Sequence, residues 1–144
     1  MQIAAIDLGS RRIGVAVSDE AGVGAHPLGI VERRALQKDL KAIRELIRDR
    51  NVGLIVVGLP LNMDGSEGAA ALSARKFAAR LALELRIMVD MFDERLTTYE
   101  ARERLEGVSV PKGTRKRGAD ALAAAVILEG WMQAHPEKLG RERD

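Results

Sequence analysis

The stretch that most constrains the fold is Met1 to Asp19, which reads MQIAAIDLGSRRIGVAVSD. Two runs rich in β-branched and small apolar residues, Ile3 to Ile6 and Ile13 to Val17, lie on either side of a glycine-bearing polar turn. Strand-forming residues flanking a turn that needs a permissive backbone predict a β-hairpin. Asp7 stands where the first run stops. A carboxylate there projects from the end of a buried strand, where it can hold a metal ion or steer a phosphate-bearing ligand. The plainer alternative is a turn-initiating Asp that bonds to nearby backbone. The hairpin alone does not choose between them.

A chain of 144 residues is the length of one ordinary domain and can bury a real core. With a net charge of only +2, a nucleic-acid partner has to be held by a local basic patch rather than by the whole-molecule field. The absence of cysteine excludes disulfides, thiolate zinc sites and thiol catalysis. No apolar run has the length of a membrane span, and Asp7 falls where a signal sequence needs apolar residues. A cytoplasmic location is expected.

After the hairpin, His26 to Val31 predicts a third strand that completes a meander. Arg34 to Asn51 predicts a helix, with Leu36, Leu40, Ile43 and Ile47 at helical spacing. Lys38, Lys41, Arg44 and Arg48 fill its other faces beside Asp39, Glu45 and Asp49, as on a solvated surface. Leu54 to Val57 (LIVV) has the continuous apolar character of a strand buried on both faces. The loop that follows, PLNMDGSEG from Pro60, is longer than a connection needs and lies past a strand end, where α/β folds place ligands. Asn62 and Asp64 are its candidate binding residues; a bare connection with Ser66 capping the next helix is the alternative.

Ala69 to Leu85 predicts a helix that offers Leu72, Phe77, Leu81 and Leu85 to the core, and Ile87 to Phe92 predicts a strand ending in Asp93-Glu94-Arg95. Thr97 with Glu100 fits a capping box that opens a helix to Gly107. Val108 to Arg117 predicts a loop carrying Lys112, Arg115, Lys116 and Arg117, the densest basic cluster in the chain. A last helix runs from Gly118 to about His135, with Asp120 in its first turn and Leu122, Val126, Ile127 and Trp131 facing inward. Residues 1–135 are expected to form a single domain and 136–144 a polar tail. The order βββ-α-β-α-β-α-α predicts an α/β fold: a mixed five-stranded sheet, its first three strands an antiparallel meander, with helices on both faces.

Asp7, Glu94 and Asp120 occupy equivalent places, at or just past the end of a strand or in the first turn of a helix. Three carboxylates together raise one another's pKa and make sense around divalent cations, for which hard oxygen ligands suit magnesium or manganese. Two such ions about 4 Å apart can activate a water and stabilise the leaving oxygen of a phosphodiester. Alternation along the last strand sends only one of Asp93 and Glu94 to such a site. For Asp120 the alternative is simple complementation of the helix dipole. The basic cluster at 112–117 is expected to hold phosphates on either side of the scissile bond. Arg11 and Arg12 in the hairpin turn stand equally as a further contact or as solvated surface. An aromatic content of 3% leaves no stacking platform for single strands.

Four blocks in order, IDLGSRRIGVAVSD, IVVGLPLNMDGSEG, DERLTTYEAR and GADALAAAVIL, resemble the YqgF (RuvX) family of the RNase H-like, Holliday-junction-resolvase-type superfamily. The resemblance runs from Ile3 to about Trp131. It implies an RNase H-like three-layer fold and a divalent-metal-dependent nuclease linked to maturation of the 5′ end of 16S ribosomal RNA. It also implies Asp7, Glu94 and Asp120 as the acidic catalytic and metal-holding positions, Asn62 and Asp64 as members of the substrate loop, and Mg2+ or Mn2+ as cofactor. Ser10 stands where the family often has Thr, which keeps the hydroxyl. Branched DNA is the alternative substrate, and junction resolution requires a homodimer with two sites. Two further readings are a non-catalytic RNA-binding protein and an ATP-binding module of the actin and sugar-kinase type. The ATP module needs two such domains, and this length supplies one.

Overall fold

A computed structural model describes residues 1–105 and 118–139. Five strands form one mixed sheet: β1 (Gln2–Leu8), β2 (Arg12–Ser18), β3 (Ala25–Glu32), β4 (Val52–Leu59) and β5 (Met88–Asp93), in the spatial order β3-β2-β1-β4-β5. The meander β1-β2-β3 is antiparallel, whereas β1, β4 and β5 run parallel. The parallel pairings follow from the crossovers, because α1 (Leu36–Ile47) and α2 (Ala69–Leu85) each carry the chain back to start a strand in the same direction. The carboxyl ends of β1, β4 and β5 therefore lie together at one end of the sheet. The hairpin turn and the exit of β3 share that end.

Alternation in the strands divides the core into two layers. Ala4, Ile6, Ile55 and Val57 point to one face and pack with Leu40, Ile43 and Ile47 of α1 and Phe77 and Leu81 of α2. Ile3, Ala5 and Val56 point to the other, where they meet α4 (Gly118–Ala134) through Ala124, Ala125, Leu128 and Trp131. Full burial of each large aliphatic here contributes about 1.5–3 kcal/mol. Small residues on the inner side of α4, with Ala121, Ala124 and Ala125 entirely buried, let its backbone approach the meander closely.

Three expectations change in detail. The first helix begins at Leu36 rather than Arg34, because the buried Asp39 accepts a 3.0 Å bond from the Arg34 amide and holds the preceding segment as a loop. Leu72 is 54% exposed, since Ala71 and Ala74 take the inward side of α2 in its first two turns. The cap of α3 (Tyr99–Arg104) is Thr98, whose Oγ1 accepts from the Ala101 amide at 3.0 Å. Thr97 instead donates to the Glu94 carbonyl and closes a 3₁₀ turn at Glu94–Leu96. The expected basic loop, with Lys112, Arg115, Lys116 and Arg117, lies outside the described residues. Among the described residues no helix is long and apolar enough to cross a membrane.

Candidate active site at the carboxyl end of the sheet

Asp7 lies on the α4 side of β1, the central strand, directly opposite Gly14 on β2. That glycine is required by contact. A Cβ there would run into the carbonyl of Asp120, so only a bare backbone lets the first turn of α4 settle against β2 beside Asp7. On the other flank Gly58 of β4 plays the corresponding part. A Cβ at Gly58 would lie 2.9 Å from Glu94 Oε1 and 2.7 Å from Ile127 Cδ1. The two glycines open the space into which the helix start and the Glu94 side chain converge on Asp7.

The convergence shows in the electrostatics. Burial pushes the Glu94 carboxyl up to about 7, helped by the neighbouring Asp7 charge and by a hydrogen bond between the two side chains. Asp7 is also raised, by burial first and by the Asp120 charge as well, while the bond from Glu94 partly offsets this. Of the two acids Glu94 is the one that holds a proton to higher pH, and in that form it donates to the Asp7 carboxylate. The described acids form no ready-made cage of three or more metal-ligating groups. What they present is a touching pair, Asp7 and Glu94, with Asp120 close enough to be felt by its charge. An all-oxygen donor set with a proton held between two carboxylates fits a hard divalent cation, which replaces the proton with a stronger counter-charge.

Asp93 does not compete for this place. Its carboxylate caps the 3₁₀ turn by accepting from the Arg95 amide at 2.9 Å, and it pairs with the Arg95 guanidinium at 2.9 Å. The hydrogen bonds from Arg95, with its charge adding a smaller part, hold Asp93 below the usual carboxylate range. Arg95 also donates to the carbonyls of Asn62 and Met63, at 3.4 and 3.2 Å, and so straps the loop after β4 to the segment carrying Glu94. Within that loop Asn62 Nδ2 donates to Ser66 Oγ at 2.9 Å, and Asp64 accepts from the Ser66 amide at 2.9 Å. Both candidate side chains thus shape the loop itself, with Gly65 at φ +88° making the tight return. The cap position of α2 is Gly68 rather than Ser66.

The structure brings Asp7 and Glu94 into contact, leaves Asp120 acting on Asp7 through its charge without joining a three-acid cluster among the described residues, and sets Asn62 and Asp64 in the adjoining loop. Sequence reasoning counted Gly14 with the hairpin turn, whereas it lies inside β2, and it gave no role to Gly58 or to Arg95 as a strap. A glycine inside an otherwise β-branched run, as in IGVAV and VVGL, was the signal available for the first two.

A mixed five-stranded sheet flanked by helices, with carboxylates gathered at its parallel end, defines a ribonuclease-H-like domain of the resolvase type. Solved structures agree on the fold: Thermus thermophilus RuvC in complex with a Holliday junction substrate superposes with a TM-score of 0.62 at 18% identity, over 93% of this chain and 96% of that one. The fowlpox virus Holliday junction resolvase follows at 0.56 and 12%, over 93% and 99%. The family model RuvX, described as "Holliday junction resolvase", matches residues 1–134, and the chain belongs to that family. A relative from Anaeromyxobacter sp. (strain Fw109-5), named "Putative pre-16S rRNA nuclease", is 47% identical over 92% of this chain and 96% of its own. One from Myxococcus xanthus with the same name is 44% identical over 94% and 89%.

Proposed function

We propose that this protein is a divalent-metal-dependent nuclease that hydrolyses phosphodiester bonds in the cytoplasm, acting in 5′-end maturation of the 16S ribosomal RNA precursor. The observation that carries the reading is the pairing of Asp7 with Glu94, inside the field of Asp120, at the end of the sheet. The substrate is inferred from the names of the relatives.

Asp7, Glu94 and Asp120 would hold Mg2+ or Mn2+, which when bound lowers the charge on the scissile phosphate and readies a water for attack. Asp7, fixed on the central strand, would be one of the ligands. Glu94 would have to release its proton to serve as a ligand, so metal affinity would be linked to its deprotonation. Asp120 would add a ligand from the helix side, and Gly14 and Gly58 keep both flanks clear. Asn62 and Asp64 contribute to substrate binding by fixing the shape of the loop that borders the site. Lys112, Arg115, Lys116 and Arg117 are assigned to phosphate contacts on charge alone.

The test is cleavage of a 5′-extended 16S rRNA precursor and of a four-way DNA junction with Mg2+ or Mn2+, for the wild type and Asp7→Asn. We expect metal-dependent RNA cleavage that falls at least about 10²-fold in the variant, the scale of losing one preorganised electrostatic group. The junction is expected to stay intact. Symmetric nicking of the junction by a dimer would move the assignment to a resolvase, the activity in the family description. A folded, metal-loaded protein that cuts neither substrate would leave an RNA-binding protein and end the nuclease reading.

A further inference from the structure

The two turns on the β2–β3 side of Asp7 are tied into one unit. The hairpin turn closes with the Gly9 amide donating to the Arg12 carbonyl at 2.9 Å. The segment leaving β3 then docks on it: the Arg33 amide donates to the Arg11 carbonyl, and Arg33 Nη1 donates to the Gly9 carbonyl, each at 2.9 Å. Asp39 holds the Arg34 amide, which sets the direction in which Arg34 leaves. Arg11, Arg33 and Arg34 are exposed, and among the described residues no acidic side chain forms an ion pair with any of them. Arg12 is the fourth arginine of the group and leans on Glu32 at 3.4 Å. The far side of Asp7 is different: there Arg75 is paired with Glu67 and Arg95 with Asp93. Arg102 on α3 likewise forms no ion pair among the described residues, and its guanidinium donates to Thr97 Oγ1 at 3.3 Å; the clustered unpaired charge of Arg11, Arg33 and Arg34 lies on the β2–β3 side of the carboxylates.

We propose that Arg11, Arg33 and Arg34 form a phosphate-binding track, which takes the sugar-phosphate backbone of a polynucleotide running away from the carboxylates across β2 and β3. Adjacent strands are about 4.8 Å apart, so the exit of β3 lies about 10 Å along the sheet end from β1. That distance covers about three nucleotides of a duplex strand at 3.4 Å each. A guanidinium whose backbone is pinned and whose charge is unpaired is suited to a phosphate, since its planar fork can give two N–H groups to two oxygens. The track carries no base readout, and it guides the strand away from the site across the meander. Its place beside the cleavage site rests on the nuclease reading, but its existence is tested by binding alone.

The experiment measures binding in an Asp7→Asn background, so that nothing is cut. Fluorescence anisotropy would follow a labelled 5′-extended 16S precursor fragment and a labelled four-way DNA junction between 50 and 200 mM KCl. Arg11→Gln and Arg34→Gln remove no side-chain bond of the fold, and Arg33→Lys keeps the charge where Arg33→Gln removes it. Each Gln variant is expected to flatten the plot of log Kd against log salt by about 0.9 on helical and about 0.7 on single-stranded segments. Arg33→Lys should keep the wild-type slope. The triple Gln variant should bind at least tenfold more weakly at 100 mM KCl while still melting cooperatively, its melting temperature no lower than that of Arg33→Gln alone. A charge-matched control, Lys41→Gln with Arg48→Gln and Arg50→Gln, removes the same charge from the far part of α1 and the segment after it, and should leave the slope alone. A folded triple variant with the wild-type slope, or a control that flattens it equally, overturns the track while the nuclease reading stands. Failure of the parent protein to bind either probe overturns both.

Discussion

At the scale of single residues, the pair Asp7 and Glu94 makes a pH prediction whose sign is fixed. Both acids have folded pKa values raised above their unfolded ones, Glu94 to about 7. Their contribution to stability is therefore fully present below the unfolded carboxylate range and is lost as pH rises through about 7. Metal-free protein should melt several degrees lower at pH 8 than at pH 5.5, relative to the same comparison for Glu94→Gln. Metal affinity should move the other way, gaining about tenfold per pH unit below 7 as one proton is displaced, then levelling off. Calorimetric titration of Mg2+ or Mn2+ across that range checks both the slope and the proton release. The flanking glycines separate site from scaffold. Gly58→Ala meets the end of a Glu94 side chain and an Ile127 methyl, which can yield, so we expect about 1–2 kcal/mol of destabilisation together with weakened metal binding. Gly14→Ala meets helix backbone, which cannot, and should cost more, about 3 kcal/mol or above in a denaturant titration. The acids were legible in the sequence because each ends a strand or begins a helix. The glycines' roles were not, since what they make room for comes from residues 36 and more than 100 positions later.

At the scale of elements, α3 is held by an unequal ion pair. Arg104 Nη1 sits 2.7 Å from Glu129 Oε1, and Glu129 is 2% exposed, with its second oxygen unbonded among the described residues. Arg104→Ala leaves a buried, uncompensated charge and should cost about 2–4 kcal/mol. Adding Glu129→Gln should recover part of that loss, a coupling that a double-mutant cycle in urea measures directly. Thr98→Ala should cost about 1 kcal/mol through its cap, and Thr97→Ala less, because the helix starts one residue later than a capping-box pattern indicates. That offset arises from the 3₁₀ turn, which takes Thr97 for its own closure. The type and order of the strands and α-helices were readable, whereas the 3₁₀ turns at Glu94–Leu96 and at Pro136–Leu139, the latter in the expected polar tail, were not. The errors fell at boundaries and at Leu72, where tertiary contacts that no local pattern carries decide the outcome.

At the scale of the whole molecule, two cores share one sheet, and Trp131 reports on the join. It is the only tryptophan, 1% exposed, and its indole donates to Asp90 on the edge strand at 2.9 Å. Since α4 and the α1–α2 layer grip opposite faces of the same strands, tryptophan emission and far-ultraviolet circular dichroism should lose signal at one denaturant midpoint. Two midpoints would mean that α4 leaves the sheet first. The sheet order has one more consequence. β1 is walled in by β2 and β4, so Asp7 works like the fixed jaw of a vice, bolted to the middle of the bench. Glu94 rides on a short turn past the outermost strand and Asp120 on the opening turn of a helix, so they are the sliding jaws. If the three acids hold a metal as proposed, a wider or a narrower ion would be accommodated by travel of the outer two, and the anvil would stay where the first strand put it.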